Sequence, residues 1–341
     1  MTVNLQDFGL EDRVIAGHQM TVRDLGTSDM DAVLRLHQQV FGSAVNADWY
    51  AWKYQAGLGE AVGVFHDGAL IAHCAGLPRS FCRNGEKLAC MQIGDVMVAP
   101  QWRGILTRRG PFFHVSQQLY QSRLGHGRPF AMGYGFPSAR HLTLANKTGL
   151  LWDAGTVHEL KWRLSAPTQW PSRWLWRTEV TVAQAPSWDA IVSHVWGKMQ
   201  RSAGARLLGE RSGAYVRWRF VDRPESTPLF LVFRRPWRSA PMGVAVLGPI
   251  VPGQPVHWLD WIGPVDQMAQ ASRLCQAEAF ARGASEMVTW ASASVETQLQ
   301  GCGVSERHAV AKIGVPTSSD LPTDGERPLD WWLMSGDTDF L

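Results

Sequence analysis

The 341-residue sequence has few of the signals that characterise secreted, membrane-spanning or metal-binding proteins. Only five cysteines are present, none in a Cys-x-x-Cys pair, so neither a disulfide framework nor a cysteine-based zinc site is expected. No histidines have the spacing of a zinc motif, and we expect no bound metal. No apolar run approaches about 18 residues, and polar and acidic residues follow Met1, so neither a membrane span nor a signal sequence is predicted. These absences favour a reduced, cytoplasmic location.

A large excess of charge of one sign is also missing. The chain has 33 Lys and Arg residues against 30 Asp and Glu residues, a formal net charge of +3. Because nucleic-acid-binding proteins carry a strongly basic surface, we expect no nucleic-acid partner. Hydrophobic residues make up 45% and charged residues 18% of the sequence, which is enough for full cores. At this length, two domains are expected.

Tryptophan is abundant, with 17 residues in the chain. They could fill hydrophobic cores, or they could line a groove for an apolar or sugar-like ligand. An acidic run near the end of the sequence, residues 336–339, is expected to be a solvated tail rather than a calcium site.

The most informative segment runs from Ile93 to Gly110. The apolar stretch Asp95–Ala99 predicts a buried strand, which Pro100 ends because proline has no N–H for a ladder hydrogen bond. A glycine-containing turn, Gln101–Leu106, follows and leads into a helix whose apolar positions begin at Phe112. A turn at a helix N-terminus presents free backbone N–H groups and the positive end of the helix dipole, which suits phosphate oxygens. Three arginines add positive charge here: Arg103, Arg108 and Arg109.

A second segment, Phe130–Trp152, repeats the order of strand, turn and helix. The pattern predicts a strand at 130–134, a turn at 135–138 and a helix over 139–147. Gly149 follows this helix at the position where a left-handed glycine commonly ends one.

The two segments together resemble the acyl-CoA-binding region of the GNAT superfamily of N-acyltransferases. The phosphate turn of that family reads Gln/Arg-x-x-Gly-x-Gly/Ala, which Gln101 and Gly104 match and Leu106 does not. The family's ending Lys-x-Gly-Phe corresponds to Lys147–Leu150. Many members have a tyrosine that protonates the departing thiolate, and the matching position here is Ala145, so that acid is absent.

The resemblance implies that an acyl-CoA binds as co-substrate, without a metal. In the family, the central strand separates from its neighbour and its backbone pairs with the pantetheine amides, which here implicates Met97 and Val98. A turn residue, Ser138, stands where the family usually has an asparagine and could also bond pantetheine. The cofactor-binding residues implied are Met97, Val98, Gln101, Trp102, Arg103, Gly104, Ile105, Leu106, Thr107, Arg108 and Ser138.

Three residues are candidates for catalysis. Asp95 is an acid inside an apolar strand, which is costly unless it has a partner, and it could act as general base, anchor the amine, or be a structural residue bonded to loop backbone. Tyr134 could donate a proton to the thiolate or simply line the groove. His73, on an antiparallel strand, could face the substrate or be an ordinary buried histidine.

The second half of the chain repeats the first more loosely. Tyr215–Phe220 resembles Trp49–Tyr54, and Val256–Trp261 corresponds to the cofactor strand. The residues after Trp261 include Pro264 and Asp266, so the second half lacks a phosphate turn. We therefore expect an α/β (α+β mixed-sheet) fold with two GNAT-like domains packed together, the second degenerate. The predicted limits are 20–164 for the acyl-CoA-binding domain, 165–205 for a Trp/Pro/Arg-rich connection, and 206–335 for the second domain.

The resemblance implies an acyl-CoA-dependent, acetyl-CoA-using N-acyltransferase. The acceptor would be a small amine, amino sugar or amino-acid derivative whose nitrogen attacks the thioester directly. The alternative is a non-catalytic acyl-CoA sensor or scaffold of the same fold, which the missing acid at Ala145 would suit. The partners expected are a small-molecule amine, with no nucleic acid and no membrane, and a homodimer is left open.

Overall fold

A computed structural model describes residues 11–42, 45–54, 60–103, 109–166, 177–320 and 329–338 of the chain. The chain forms two compact units, and each is assembled from separate stretches of sequence. Unit 1 consists of residues 1–79, 88–154 and 312–325, and unit 2 of residues 80–87, 155–311 and 326–341.

The helices and strands follow one another in alternation. Up to residue 163 they are β1 (Glu11–Ile15), β2 (His18–Asp24), α1 (Met30–Phe41), α2 (Ala47–Lys53), β3 (Glu60–His66), β4 (Ala69–Arg83), β5 (Glu86–Val98), α3 (Pro111–Arg123), β6 (Met132–Gly135), α4 (Ala139–Lys147) and β7 (Leu151–Arg163). From residue 177 they are β8 (Arg177–Thr181), α5 (Trp188–Ala203), β9 (Leu207–Gly209), α6 (Gly213–Val216), β10 (Leu229–Arg234), β11 (Pro241–Leu247), β12 (Val256–Ile262), α7 (Met268–Ala281), β13 (Glu286–Ala291), α8 (Ala293–Gln298), β14 (Glu306–Pro316) and β15 (Trp331–Trp332).

Unit 1 contains the predicted central strand, turn and helix. Its strands lie in the order β1-β2-β3-β4-β5-β6. Neighbours β1, β2, β3 and β4 pair antiparallel, whereas β5 and β6 pair parallel, with α3 between them in the chain. One detail differs from expectation: the strand predicted at 95–99 is the last part of a longer strand, β5, which begins at Glu86 and contains Asp95 in a left-handed backbone conformation.

Unit 1 is completed by a late stretch of sequence, residues 312–325. Gly314 of β14 pairs with Gly135 at the outer edge of β6. Further along, the Gly133 N–H donates to Ser319 Oγ at 3.1 Å, and the Asp320 N–H donates to the Ala131 carbonyl at 2.7 Å. The free edge of β6 is therefore covered by residues that the chain supplies much later than the rest of unit 1.

Unit 2 repeats the order of unit 1, as the sequence predicted. Antiparallel pairs join β10 to β11 and β11 to β12, a helix (α7) follows β12, and β13 then pairs parallel with β12. The short helix α6 continues into a π-helical turn at Arg217–Val221 just before this hairpin, in the position that α2 has before β3 and β4. The fold class is thus a mixed α/β one with two related halves, of which the second departs further from the pattern.

Part of the segment predicted to be a connection, 165–205, is regular structure: β8 and α5 both belong to it. The predicted domain limits stay a prediction. Among the residues that the structure describes, no helix is long and apolar enough to cross a membrane. All five cysteines are free and buried.

Each unit has its own hydrophobic core. In unit 1, α3 and α4 cover the sheet with side chains such as Val115, Leu119 and Leu142. In unit 2, six tryptophans are at most 3% exposed, which favours the core-filling explanation of the tryptophan content for these residues: Trp162, Trp188, Trp258, Trp261, Trp331 and Trp332. The expectation of a solvated tail was wrong for Gly336, Asp337 and Thr338, which are buried in unit 2.

A buried ionic cluster lies in unit 2. The guanidinium of Arg211 donates to Asp260 Oδ1 at 3.1 Å and to Asp337 Oδ2 at 2.5 Å, and all three side chains are at most 1% exposed. Burial raises the pKa of Asp260 above its usual range, although the charge of Arg211 acts to lower it. Without Arg211, two carboxyl groups would face each other in a dry environment.

We expect Arg211→Met to destabilise the protein by about 3–5 kcal/mol, because it leaves two buried carboxyl groups without their cation. The matched control is Arg163→Met, since Arg163 pairs with Glu306 on the surface and is 75% exposed. This control should change the free energy of unfolding little. Denaturant unfolding followed by tryptophan fluorescence measures both, and equal losses in the two variants would contradict the assignment.

Candidate active site

The parallel strands β5 and β6 separate in the middle of unit 1. They pair from Cys90 and Met132 as far as Ile93 and Gly135, after which β5 continues to Val98. Within the described part of the chain, nothing pairs with β5 on that side beyond Ile93. The separation leaves backbone N–H and C=O groups available to a ligand that lies along the strand.

The turn after β5 is described only in part. Residues 100–102 form a 3-10 turn, and Arg103 Nε donates to the Val98 carbonyl at 2.8 Å. The ring of Trp102 meets the rings of His18 and His66 edge-on, at centroid distances of 5.0 and 4.8 Å. Five of the predicted cofactor residues lie outside the described residues: Gly104, Ile105, Leu106, Thr107 and Arg108.

The helix that follows begins in the predicted manner. Gly110 is its N-cap and Pro111 its first residue, where a missing N–H costs nothing because the first N–H groups of a helix have no partner within it. Of the N–H groups of the first turn, those of Phe113 and His114 donate to the Gly110 carbonyl at 2.9 and 3.3 Å, so that of Phe112 is left without a partner among the described residues. Arg109 adds charge next to them, and its guanidinium carbon lies 5.4 Å from the ring centre of Phe113.

Asp95 lies two residues beyond the last β5–β6 pair, and its backbone φ is +47°. Its carboxylate is held by two residues from the end of α2. Lys53 Nζ donates to Oδ1 at 2.7 Å, and the Tyr54 hydroxyl donates to Oδ2. The side chains of Lys53 and Asp95 are only 5% and 9% exposed, so this is an ion pair away from bulk water.

Asp95 is ionised at neutral pH. Burial acts to raise the pKa of this carboxyl, but the charge and hydrogen bond of Lys53, with the Tyr54 hydroxyl, outweigh it and hold the pKa below its usual range. A carboxylate with a depressed pKa is a weak base and a good partner for a cation. Its partners are side chains, not the loop backbone considered from the sequence, and its role in catalysis stays a prediction.

His73 contacts the same residue through the backbone. Its Nδ1 lies 2.7 Å from the Asp95 carbonyl oxygen, and because a carbonyl can only accept, Nδ1 carries the proton. Burial lowers the pKa of His73, which is therefore neutral at pH 7 with a lone pair on Nε2. That atom is buried and has no hydrogen-bond partner within the described residues. A buried acceptor without a partner is uncommon and suggests that water or a ligand satisfies it.

The other predicted residues have definite places. Tyr134 is fully buried, and its hydroxyl donates to Gln92 Oε1 at 3.1 Å, an atom that also accepts from Arg79 at 2.8 Å. Ser138 is the N-cap of α4, accepting from the His141 N–H at 3.3 Å. The Met97 side chain is buried in an apolar cluster.

Sequence reasoning missed Lys53 and Tyr54. They are 42 and 41 positions from Asp95, and no local pattern links them. The available signal was physical: an acid in an apolar strand needs a cation, and the aromatic segment Trp49–Tyr54 contains a lysine. The structure thus brings Asp95 and His73 together and adds two residues from α2.

Comparison with known proteins gives one match to a family profile. Residues 21–141 match the acetyltransferase (GNAT) domain, a range that contains β5, the turn, α3, Asp95, His73 and Lys53. No curated protein matches the sequence at a significant level.

Solved structures are similar over most of the chain. A GCN5-related N-acetyltransferase from Kribbella flavida has a TM-score of 0.62 at 15% identity, covering 87% of this chain and 70% of that one. Another, from Anabaena variabilis ATCC 29413, has a TM-score of 0.63 at 13% identity, covering 87% and 72%. A conserved protein of unknown function from Enterococcus faecalis V583 has a TM-score of 0.65 at 13% identity, covering 87% and 71%. At these identities the likeness concerns the fold.

Proposed function

We propose that this protein transfers an acetyl group from acetyl-CoA to the amino group of a small molecule, and the match of residues 21–141 to the GNAT acetyltransferase domain supports this proposal. Acyl transfer from an acyl-CoA follows from the domain family, and the protein is an acyltransferase. The choice of acetyl-CoA and of a small amine is the proposal. The observation that carries it is an ionised Asp95 and a neutral His73 beside the unpaired stretch of β5.

The unpaired stretch of β5 fits an acyl-CoA. Its backbone from Gly94 to Val98 supplies N–H and C=O groups that can pair with the two amides of a pantetheine arm. The Phe112 N–H at the start of α3 and the arginines before it suit the pyrophosphate. Bound in this way, the acyl-CoA supplies a thioester carbonyl that an amine can attack.

Asp95 and His73 divide the work on the amine. The Asp95 oxygens, which already accept from Lys53 and Tyr54, have further lone pairs that can accept an N–H of the acceptor amine, and the small exposed fraction of Asp95 favours a compact amine over a protein chain. His73 Nε2 then takes a proton, directly or through a water molecule, because only the neutral amine is nucleophilic. An N–C bond forms and the C–S bond breaks, with the electron pair leaving on sulfur and the second nitrogen proton passing to water.

The strand backbone and solvent complete the reaction. N–H groups of the unpaired stretch of β5 stabilise the negative charge that develops on the carbonyl oxygen. The thiolate takes its proton from water, because Ala145 offers none. Tyr134 as the thiolate's acid stays a prediction, and its hydroxyl bond to Gln92 gives it no step here. A purely non-catalytic role is not favoured, since a neutral histidine with a free lone pair is what a base requires.

We expect one acyl-CoA to bind per chain, in unit 1, because the turn after β12 has Pro264 and Asp266 where the first half has arginines. Gly104→Glu should weaken binding by at least about 100-fold, since it replaces the glycine of the predicted phosphate turn and adds a charge of the same sign as the phosphates. Gly26→Glu is the matched control, because it places the same charge on an exposed turn of unit 1. Calorimetric titration with acetyl-CoA gives both stoichiometry and affinity, and two equivalent sites would contradict the prediction.

The proposed activity is tested with acetyl-CoA and a panel of amines, amino sugars and amino-acid derivatives. Thiol release and the mass of the acetylated amine should rise together, each dependent on the enzyme. Tight acetyl-CoA binding with no acetylation of any amine would overturn the proposal and favour the sensor or scaffold.

His73→Gln should lower kcat by about 10²–10⁴-fold and leave the Kd for acetyl-CoA unchanged, because it removes the base but keeps a buried polar side chain. Since the pKa of His73 lies below 6.5, the wild-type rate should stay level as pH falls through 6.5 and drop only at lower pH. The variant should instead accelerate as pH rises, because the acceptor then loses its proton to solvent. The control, His126→Gln, replaces a fully exposed histidine; equal kcat values in the two variants would exclude His73 as base.

A further inference from the structure

The backbone of Asp95 is in a conformation that residues other than glycine seldom adopt. Its φ of +47° lies in the left-handed region, within a strand and just past the end of the β5–β6 pairing. Such a conformation persists only where the surrounding structure imposes it, and it is concentrated at functional sites. Contacts with neighbouring residues must therefore stabilise Asp95 in this conformation.

Asp95 is held at both of its polar ends. Lys53 and Tyr54 bind its carboxylate, and His73 Nδ1–H binds its carbonyl. The cation itself is buried and lies 4.8 Å from the ring centre of Trp49, one turn earlier in α2. A buried ion pair adds little net stability compared with an apolar pair of the same size, so stability alone does not explain Lys53.

We propose that Lys53 is a positioning residue: by anchoring Asp95 it fixes the course of β5 beyond Ile93, and through the Asp95 carbonyl it fixes the ring of His73. The N–H groups of Val96 and Met97 follow directly after the held residue. The directions of these two N–H groups, and that of His73 Nε2, depend on the contact between Lys53 and Asp95. This inference rests on the proposed function and names the device that assembles its site.

The test compares three variants: Lys53→Met, Asp95→Asn and the double variant. Each single change leaves one buried group without its partner and should lower both stability and kcat. The double variant has a neutral pair and should recover stability, while kcat stays at least about 10-fold low because the ionised anchor is gone. Recovery of kcat together with stability would overturn the proposal, since it would mean that the pair only prevents an unpaired charge.

A second measurement does not depend on turnover. The Nδ1 proton of His73 should give a slowly exchanging NMR signal in the wild type and in the control Lys312→Met, which breaks a surface lysine–aspartate pair of unit 1. The signal should be lost or broadened in Lys53→Met. If it persists unchanged, the anchor does not act on His73, whatever the amine assays show about the proposed function.

A different observation concerns unit 2. Strands β12 and β13 also separate: their parallel pairing ends at His257 and Val288, while β12 runs on to Ile262 and β13 to Ala291. Unlike the corresponding stretch of β5, this one is occupied by residues of the same unit. We call residues 331–337 the inserted segment.

The inserted segment contacts both separated strands. Met334 forms a β-bridge with Ala291, and the Trp290 N–H donates to Ser335 Oγ at 2.7 Å. On the other side, Gly336 passes so close to β12 that a Cβ there would lie 3.1 Å from the Leu259 carbonyl oxygen. All seven residues are buried.

Two buried arginines hold the inserted segment in place. Arg211 binds Asp337, and Arg219 donates from Nε to the Gly336 carbonyl at 2.7 Å and from Nη2 to the Thr338 carbonyl at 2.6 Å. We infer that the inserted segment takes the position in unit 2 that an acyl-CoA takes along β5 in unit 1. Unit 2 then binds no acyl-CoA, and the segment stays in place during turnover.

A disulfide that fixes the inserted segment against β13 tests this inference. In the double variant Ala291→Cys, Met334→Cys, facing residues of a bridge are close enough for a disulfide. The oxidised protein should bind acyl-CoA with the same Kd and stoichiometry as the reduced protein. Loss of binding on oxidation, regained on reduction, would overturn the inference.

Hydrogen exchange provides the second arm, on the unmodified protein. The amide of Trp290 should be strongly protected, and addition of acetyl-CoA should not change its rate. Ser335→Ala removes its acceptor and should speed that exchange by about 10-fold or more. Protection at Trp290 that increases with acetyl-CoA would show a ligand in unit 2 and contradict the inference.

Discussion

The salt bridge between Lys53 and Asp95 is the interaction on which the arrangement of unit 1 depends. A carboxylate in the middle of an apolar strand would be unfavourable without a cation, and a lysine at the end of a short helix would prefer water without an anion. Together they join α2 to β5 at the point where β5 leaves β6. The unpaired stretch of β5 and, through the Asp95 carbonyl, the ring of His73 therefore have one common fixed point.

Both halves of the chain have a buried aspartate paired with a cation, but the surroundings of the two aspartates differ. Each has an aspartate on the central strand and a buried cation that binds it, Lys53 for Asp95 and Arg211 for Asp260. In unit 1 the pKa of the aspartate is lowered, and the carboxylate lies beside an unpaired strand edge. In unit 2 the pKa is raised, a second carboxyl shares the cation, and residues of the unit itself cover the edge. The same order of strands thus has a strand edge in unit 1 that no described residue covers beyond Ile93, and a covered edge in unit 2.

Local patterns in the sequence predicted what depends on neighbours in the chain. The strand before Pro100, the helix after the turn, the second strand and α4 all follow from runs and periods a few residues long. The pairing of Asp95 with Lys53 and Tyr54 could not be predicted in the same way, because contacts across forty positions leave no periodic signal. The backbone conformation of Asp95, which lies inside β5 and not at its start, could not be predicted from the sequence for the same reason. The acidic residues near position 336 were misjudged for the same reason: whether they meet water or Arg211 is decided by residues more than a hundred positions away.

Completion of unit 1 by residues 312–325 has a consequence for synthesis on the ribosome. When the first 154 residues have emerged, the sheet up to β6 can form, but the outer edge of β6 still has exposed N–H and C=O groups. Such an edge can pair with strands of other chains. The edge remains uncovered while more than 150 further residues are translated. During this interval unit 1 of the nascent protein is nearly formed but can aggregate through the exposed edge. A chaperone that shields one strand edge would be needed most during that interval.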